Sequence, residues 1–293
     1  MTKRIPRRFL LPLAASLPAL GMLAVAGPAA AASSTPAAYS HASSSTPSAQ
    51  AAALAREAIR HILVGHHSAN ERMGHALKAN AQTHTTSNNW SGYADTGSGF
   101  SKVSASWKQP TASCGLDVIS LAAFWVGIDG FNSSSVEQDG TMVECYLGTE
   151  YQYSWWEMYP TNSVQTVGST VAAGDSITAS VTRSGKSYAL KVTDSTHPAN
   201  SFSTTQTGSG DANSSAEWVA EAPSNGVTEY PLTNFGTWKA SGAAATAGSK
   251  SGTISSFTDS QITMADVLGL TEASPSALGS GGSSFSVTWK QGL

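Results

Sequence analysis

Short runs of alternating polar and apolar residues, separated by turns, fill the sequence from residue 86 to its end. Examples are "VSASWKQP", "DSITASVTRSGKSYALKVTD" and "FSVTWKQG", punctuated by Gly, Ser, Asn and Asp residues that favour turns. Helical spacing of apolar residues is nearly absent, since "DSQITMADVLG" suffices for one or two turns at most. The pattern predicts one all-β catalytic or binding domain over residues 86–293, a sandwich or a barrel.

The first 32 residues have the parts of a secretory signal peptide. A start rich in Lys and Arg precedes the apolar run "FLLPLAASLPALGMLAVAG", and small residues before Ser33 provide a cleavage site. No other stretch is apolar and long enough to cross a bilayer. We therefore expect a secreted, extracellular protein without a membrane partner once residues 1–32 are removed.

Residues 33–85 have a different composition from the domain that follows. A Ser/Ala/Pro-rich stretch leads into "AAALAREAIRHILVGHH", which has apolar residues near helical spacing, and six of the seven histidines precede residue 85. Residues 1–84 carry a net charge of +6, whereas residues 85–293 carry −9. These features predict a removable, partly helical pro-segment that docks on an acidic domain.

The acidic domain argues against nucleic acid as a partner, because binding to phosphates needs clustered Lys and Arg. It also indicates an acidic working environment. With only eight Lys and Arg and one His after residue 84, the domain gains little positive charge when its carboxylates are protonated, and self-repulsion drives much acid unfolding.

Cys114 and Cys145 are the only cysteines. In an exported protein an even pair favours a disulfide, here closing a loop of about thirty residues and contributing roughly 3–4 kcal/mol on the chain-entropy model. The alternative, a thiol nucleophile or a metal ligand, is disfavoured because two Cys and one His are too few.

Histidine-dependent and metal-dependent chemistry finds little support. His197 lies in the turn-like "DSTHPAN" and is predicted to be solvated. A Ser-His-Asp or Cys-His system needs an imidazole held by a third group, and a catalytic zinc needs several ligands at recognisable spacing. HExxH, GxxxxGK[ST] and a strand-linked GxGxxG are all absent. No metal and no cofactor is predicted.

Carboxylates remain as the candidate catalytic groups. Paired carboxylates hydrolyse glycosides, and a carboxylate can also activate the water that attacks a peptide bond. Asp95-Thr96-Gly97 has no second copy, unlike the repeated motif of aspartic proteases, and is interpreted as a turn. The candidates in the domain are Asp129, Glu137, Asp139, Glu144, Glu157, Glu217 and Glu221.

Strand-like alternation in "SSAEWVAEAP" places Glu217, Val219 and Glu221 on one face. Two carboxylates flanking a valine suit either a solvated outer face or the floor of a site. The residues alone leave both alternatives open.

Four segments, in order, resemble the glutamic peptidases, also called eqolisins or peptidase family G1. They are "NNWSGYA" at 88–94, "FWVGIDGFNSSSVEQDGT" at 124–141, "YSWWEMYP" at 153–160 and "AEWVAEAP" at 216–223. With "GDSITASV" at 174–181, the similarity spans essentially residues 88–290. It implies a concanavalin A-like (lectin-like) sandwich of two large antiparallel sheets and a monomeric, pepstatin-insensitive acid endopeptidase that acts on proteins or peptides.

The resemblance assigns the catalytic pair to Gln138 and Glu217, on neighbouring strands. Glu217 would take a proton from water and return it to the leaving amine, while the Gln138 amide would stabilise the oxyanion at any pH. A Glu titrates near 4.3, so this base works in acid. The residues alone indicate Glu217 weakly and never Gln138, because an amide does not titrate.

The same resemblance supplies supporting residues. Trp125 and Asp129 are expected near the catalytic pair, and Trp155, Glu157 and Tyr159 along the substrate cleft. Glu157 has an alternative interpretation as an ordinary strand carboxylate.

Two positions depart from the family or remain open. Fungal members tend to carry an Asp where this chain has Tyr153, which leaves site hydration and subsite preference open. Glu221 lies four residues along the strand from Glu217, on the same face, and we expect it to be solvated near the strand end rather than to line the cleft.

The pro-segment suggests regulation by pH. Near neutrality its basic, His-rich helix would block the acidic cleft; in acid the histidines gain charge while the carboxylates lose theirs, so attraction fades and self-cleavage follows. The alternative is a folding aid whose histidines are incidental.

A rival interpretation of the domain is a secreted carbohydrate-active or carbohydrate-binding β-sandwich, although the E-x-D-x-E motif of many sandwich glycosidases is absent. A non-catalytic surface protein of the same fold is disfavoured by the intact Gln138 and Glu217.

Overall fold

The computed structural model describes residues 82–115, 119–167, 170–224 and 228–292. The predicted signal peptide and the pro-segment up to residue 81 lie outside these residues. The helices within them are two three-residue 3-10 helices, Pro198–Asn200 and Ile254–Ser256, and neither is long and apolar enough to cross a bilayer. The all-β prediction is confirmed.

Sixteen strands build the fold. They are β1 (Gln82–Ser87), β2 (Trp90–Thr96), β3 (Phe100–Lys108), β4 (Ile119–Ile128), β5 (Val136–Tyr146), β6 (Thr149–Tyr159), β7 (Asn162–Thr166), β8 (Ser176–Ser184), β9 (Ser187–Asp194), β10 (Phe202–Thr207), β11 (Ser215–Glu221), β12 (Thr237–Ala247), β13 (Lys250–Thr253), β14 (Thr258–Ala265), β15 (Thr271–Pro275) and β16 (Phe285–Trp289). Residues 82–85, at the predicted end of the pro-segment, belong to β1 and pair with β14.

All strands belong to one hydrogen-bonded sheet, in the order β10-β9-β8-β3-β12-β16-β15-β14-β2-β11-β4-β5-β6-β7, with β1 beside β14 and β13 beside β12. Every pairing except β1 with β14 is antiparallel. Two separate sheets were expected. The sheet is continuous instead because β12 pairs with β16 through Thr237–Ala240 and with β3 through Ser241–Ala247.

The sheet nevertheless folds into two layers. Strands β4 and β5 of the front half (β2, β4–β7, β11, β14) contact β8 and β9 of the back half (β3, β8–β10, β12, β13), with which they share no hydrogen bonds. Phe124 stacks on Trp238 with ring centroids 5.6 Å apart, and Trp107 meets Trp238 edge to face. Such aromatic pairs stabilise the apolar core between the halves.

The other side of the front half is also covered. Its apolar cluster contains Trp90, Trp125, Tyr153, Trp155 and Val219. All seven residues of β11 are therefore buried, so the alternating polarity of this strand does not correspond to alternating exposure. We call this side, to which Glu217 points, the outer face of the front half.

Two local predictions are settled by the fold. Cys114 and Cys145 form the predicted disulfide, which links the segment before β4 to the end of β5.

Asp95 and Thr96 are not in a turn: they end β2, and the bend begins at Gly97. Asp95 is fully buried opposite Asp259 of β14 because its side chain points into the core.

Candidate active site

Strand register brings the predicted catalytic residues into one row. Glu217 of β11 lies opposite Gly127 of β4, Gly127 opposite Gln138 of β5, and Gln138 opposite Glu157 of β6. Directly opposed residues point to the same face. Gln138 and Glu217 were predicted on neighbouring strands, but β4 lies between their strands. The two residues are therefore about 10 Å apart, and Gly127 of β4 contributes no side chain between them.

The Gln138 amide is oriented by Glu157. Its Nε2 donates to Glu157 Oε2 at 2.7 Å, while its Oε1 has no hydrogen-bond partner among the described residues. An amide nitrogen carries two hydrogens, so a second N–H remains available. Glu157 is thus more than an ordinary strand carboxylate, because it fixes the amide that the resemblance made catalytic.

The Glu217 carboxyl is completely buried, and neither oxygen has a hydrogen-bond partner within the described part of the chain. Burial raises its pKa well above the usual value, with smaller contributions from the charges of Asp129 and Glu137. The Ser215 hydroxyl and the Phe131 N–H face the carboxyl and oppose this shift, without reaching hydrogen-bonding geometry. In this closed arrangement the carboxyl is neutral in acid.

The predicted supporting residue Asp129 acts on the backbone that carries Glu217. Its carboxylate accepts hydrogen bonds from the Asn213 N–H at 2.6 Å and from the N–H and hydroxyl of Ser214 at 2.8 and 3.1 Å. Its own N–H donates to the Ser215 carbonyl. Asp129 therefore clamps the start of β11 to the end of β4, two residues before Glu217.

Trp125 lies beside the catalytic row. An added Cβ on Gly127 would stand 2.9 Å from Trp125 Cζ3 and 3.3 Å from Gln138 Cβ. The ring also meets Trp90 edge to face at 4.9 Å. Trp155, two residues before Glu157, is fully buried on the same face. Both tryptophans thus lie on the same face as the row.

Glu221 contradicts the expectation of a solvated strand end. The side chain is fully buried; its Oε2 accepts the Trp125 Nε1–H at 2.7 Å and its Oε1 accepts the Asn89 amide at 3.2 Å. Alternation correctly predicted the face to which Glu221 points. It carried no information on Asn89, which lies 132 residues away in the chain and helps to cover that face.

The two tyrosines singled out from the sequence lie on the same face. Tyr159, at the end of β6, is half-buried against the apolar cluster. Tyr153 is buried and its hydroxyl contacts Met142 Sδ at 3.2 Å. At this position, which departs from the resembled family, the Tyr153 hydroxyl thus donates a hydrogen bond to sulfur.

The connection between β4 and β5 covers the row. Phe131 packs on the outer apolar cluster, and an added Cβ on Gly130 would lie 3.0 Å from Trp90 Cη2 and 3.2 Å from Val136 Cβ. Gly130 has a φ of 109°, which favours glycine. This close packing contributes to the complete burial of Glu217.

The other candidate carboxylates are placed away from the row. Glu137 and Asp139 alternate with Gln138 and point to the opposite side of β5. Burial, with help from the charges of Asp211 and Asp129, raises the pKa of Glu137 to about 10, and burial raises that of Asp139. Glu144 shares the outer face but lies six residues from Gln138, and burial raises its pKa to about 8.

One group of described residues has the geometry to hold a metal ion: Asp175, Asp194 and His197 in the back half. His197 Nδ1 is 2.8 Å from Asp175 Oδ1, and Asp194 Oδ1 accepts the N–H groups of Thr196 and His197. The cluster shares no residue with the catalytic row. Its hydrogen bonds organise the loop after β9, and His197 remains mostly exposed.

Comparison with known proteins identifies a family. Residues 88–288 match the family described as the Peptidase A4 family. The chain is 28% identical over 195 residues to Aspergillopepsin-2 of Aspergillus niger, covering 59% of this chain and 69% of that protein. It is 36% identical over 137 residues to Scytalidopepsin B of Scytalidium lignicola, covering 45% of this chain and 51% of that protein.

Among solved structures, the fold is similar to that of scytalido-glutamic peptidase crystallised with a transition state analog inhibitor. The TM-score is 0.60 at 24% identity, over 69% of this chain and 98% of that chain. At this identity the similarity concerns the fold alone.

Proposed function

Because the chain belongs to the Peptidase A4 family, we propose that it is an acid-acting endopeptidase in which Glu217 activates water and Gln138 stabilises the oxyanion. The resemblance to the glutamic peptidases is confirmed by this membership. The observation that carries the proposal is the row Glu217–Gly127–Gln138–Glu157. It holds three buried oxygens, on Gln138 and Glu217, without partners in the described chain, as a site for water and a carbonyl requires.

The reaction follows from this placement. Glu217, once ionised, takes a proton from a water molecule whose oxygen attacks the scissile carbonyl carbon. The carbonyl oxygen becomes an oxyanion and accepts the second N–H of Gln138, while Glu157 holds the first. Glu217 then gives its proton to the leaving nitrogen, and the C–N bond breaks.

Ionisation of Glu217 requires water in the site. Burial is the main reason why its pKa is raised, so water admitted with the substrate lowers it towards the ordinary value near 4.3. A carboxylate base with that pKa is active in acid, where a histidine base is protonated.

The same proposal includes export and processing. Residues 1–32 would be removed on secretion, and residues 33–85 would form a pro-segment that inhibits the domain in cis and leaves in acid. We propose a monomer acting on proteins or peptides, insensitive to pepstatin and without a metal, a cofactor, a nucleic-acid partner or a membrane partner.

Hydrolysis of denatured haemoglobin tests the function. The acid-incubated protein is assayed with pepstatin across pH 2–8, beside Glu217→Gln and the control Glu144→Gln, which changes a buried carboxyl on the same face. We expect cleavage in acid, lost roughly 10³-fold in Glu217→Gln and retained in the control. Cleavage that survives Glu217→Gln places the base elsewhere. Absence of protein cleavage by folded, processed protein, with turnover of a polysaccharide, supports the carbohydrate-active alternative.

A further inference from the structure

The proposed reaction assigns no role to Glu221, a buried carboxyl on the outer face. Glu221 lies four residues after Glu217 on β11, on the same face, and is fully buried. Its hydrogen bond from the Trp125 indole is 2.7 Å long, and the Asn89 amide bonds its other oxygen. The short contact to Trp125 is typical of a charge-assisted hydrogen bond, roughly twice as strong as a neutral one.

The Trp125 ring defines the space between the two proposed catalytic groups. Gly127 is the residue that separates Gln138 from Glu217 in the row, and the ring would contact a Cβ there at 2.9 Å. Gly127 is absent from the glycines with positive φ, so its backbone conformation does not require glycine. The requirement is clearance: the gap is bounded by the bare backbone of Gly127 and the edge of the Trp125 ring.

We propose that Glu221 is a positioning residue that holds the Trp125 ring against Gly127 and so sets the width of the gap for water and the scissile carbonyl. This inference rests on the proposed function. A buried indole N–H that loses its acceptor is destabilised, so without Glu221 the ring turns towards another partner. The distance between the attacking water and the Gln138 amide then changes, and displacements of about 1 Å reduce rates by about 100-fold.

Two substitutions of similar volume separate hydrogen bonding from packing. Glu221→Gln keeps a side-chain oxygen that accepts the indole N–H, whereas Glu221→Leu removes it. On a chromogenic peptide at acid pH we expect kcat of Glu221→Gln within about threefold of wild type. We expect kcat of Glu221→Leu about 10- to 100-fold lower, with KM within about threefold, because the gap acts on the transition state rather than on binding.

The matched control is Glu144→Leu, which removes another buried carboxyl from the same face outside the catalytic row. It is expected to leave kcat unchanged whatever it does to the melting temperature. The Trp125 indole N–H resonance provides an independent signature: it should shift upfield in Glu221→Leu and by a smaller amount in Glu221→Gln, where a neutral acceptor replaces the carboxylate.

Full kcat in folded Glu221→Leu overturns the proposal, and so does equal loss in Glu221→Gln and Glu221→Leu. If Glu221→Leu does not fold, Trp125→Phe removes the same hydrogen bond from the other side, and wild-type kcat in that variant also overturns it. A parallel measurement on Glu217→Gln separates failure of the positioning role from failure of the proposed function. If Glu217→Gln is inactive while Glu221→Leu is fully active, the positioning role alone fails; if Glu217→Gln is active, the proposed function fails.

Discussion

Asp129 shows at the scale of a single residue how a carboxylate can serve a site without touching the reacting atoms. It accepts three hydrogen bonds from Asn213 and Ser214, and its negative charge contributes to the raised pKa of Glu217. The clamp and the charge are separable by substitution, because an amide keeps the shape of the side chain and loses the charge.

For Asp129→Asn we expect two effects. An amide group would face backbone N–H donors, which lowers the free energy of unfolding by about 2–3 kcal/mol. Removal of the charge lowers the pKa of Glu217, so the base ionises at lower pH and the acid limb of kcat/KM moves to lower pH. The control Ser214→Ala removes one hydrogen bond but keeps the charge, and its acid limb should stay in place. A limb that moves upward in Asp129→Asn contradicts the assignment of Glu217 as base.

Individual residues differed in how far the sequence could identify them. Glu217 was indicated by its alternating strand, whereas Gln138 came only through the family resemblance, because nothing in its chemistry marks an amide as catalytic. Glu221 was placed on the correct face but judged solvated. Burial of that face depends on Asn89 and on the connection after β4, and such distant contacts leave no local pattern.

At the scale of strands, local pattern predicted the elements but not their neighbours. Alternation and turns predicted an all-β fold, and β2, β4, β5 and β11 follow the quoted motifs. The placement of β4 between β5 and β11, which carry the proposed catalytic residues, is set by pairings between distant segments. The continuity of the sheet through β12 is set in the same way. Register of this kind depends on which faces become buried together.

The pairing of β2 with β14 brings two acidic side chains together. Asp95 and Asp259 are directly opposite, and burial first, then the charge of Asp259, raises the pKa of Asp95 to about 9, against a lowering contribution from Lys250. The folded state therefore keeps a proton that the unfolded chain releases above pH about 4. The stabilisation that protonated Asp95 contributes is full below that pH and is lost as pH rises towards 9.

Asp95→Asn should remove this loss. We expect the variant to match wild type at pH 3.5 and to exceed it at pH 7, by about 3 kcal/mol in the free energy of unfolding measured with urea. Lys250→Gln leaves Asp95 neutral at pH 7, so it should not reproduce the gain in stability that Asp95→Asn gives there. Equal stability of wild type and Asp95→Asn at both pH values would show that Asp95 is already ionised in the fold.

Across the strands from residue 82 onward, positive charge is segregated from the row of proposed catalytic residues. Of the eight Lys and Arg after residue 84, Lys290 lies outside the strands and hairpins of the back half. The other seven are carried there: Lys102, Lys108, Arg183, Lys186, Lys191, Lys239 and Lys250. The front half is accordingly rich in carboxyls and poor in cations, but most of these carboxyls are buried, so docking of the pro-segment on an acidic surface stays a prediction.

Buried carboxyls give the molecule an unusual dependence of stability on pH. Burial raises the pKa of Glu137 to about 10, of Glu144 to about 8 and of Glu272 to about 7, and that of Asp139 as well. Each group is protonated when folded and ionised when unfolded near neutral pH, so each stabilises the fold in acid and loses that contribution as pH rises. Asp194, whose pKa is lowered mainly by hydrogen bonds to backbone and side-chain groups against the effect of burial, acts in the opposite direction.

We therefore expect the free energy of unfolding to be highest at or below pH 4 and to fall, on the order of 5 kcal/mol, between pH 4 and pH 8. Most proteins are most stable between about pH 5 and 8. A free energy of unfolding that falls from pH 4 to pH 8 therefore distinguishes this protein from them. Guanidinium unfolding at pH 3, 5, 7 and 8.5 measures it on the disulfide-intact chain. A variant combining Asp95→Asn, Glu137→Gln and Glu144→Gln should flatten the curve from the neutral side while keeping acid stability. If wild type is instead more stable at pH 8 than at pH 4, the buried carboxyls are ionised in the fold and Glu217 must be reconsidered with them.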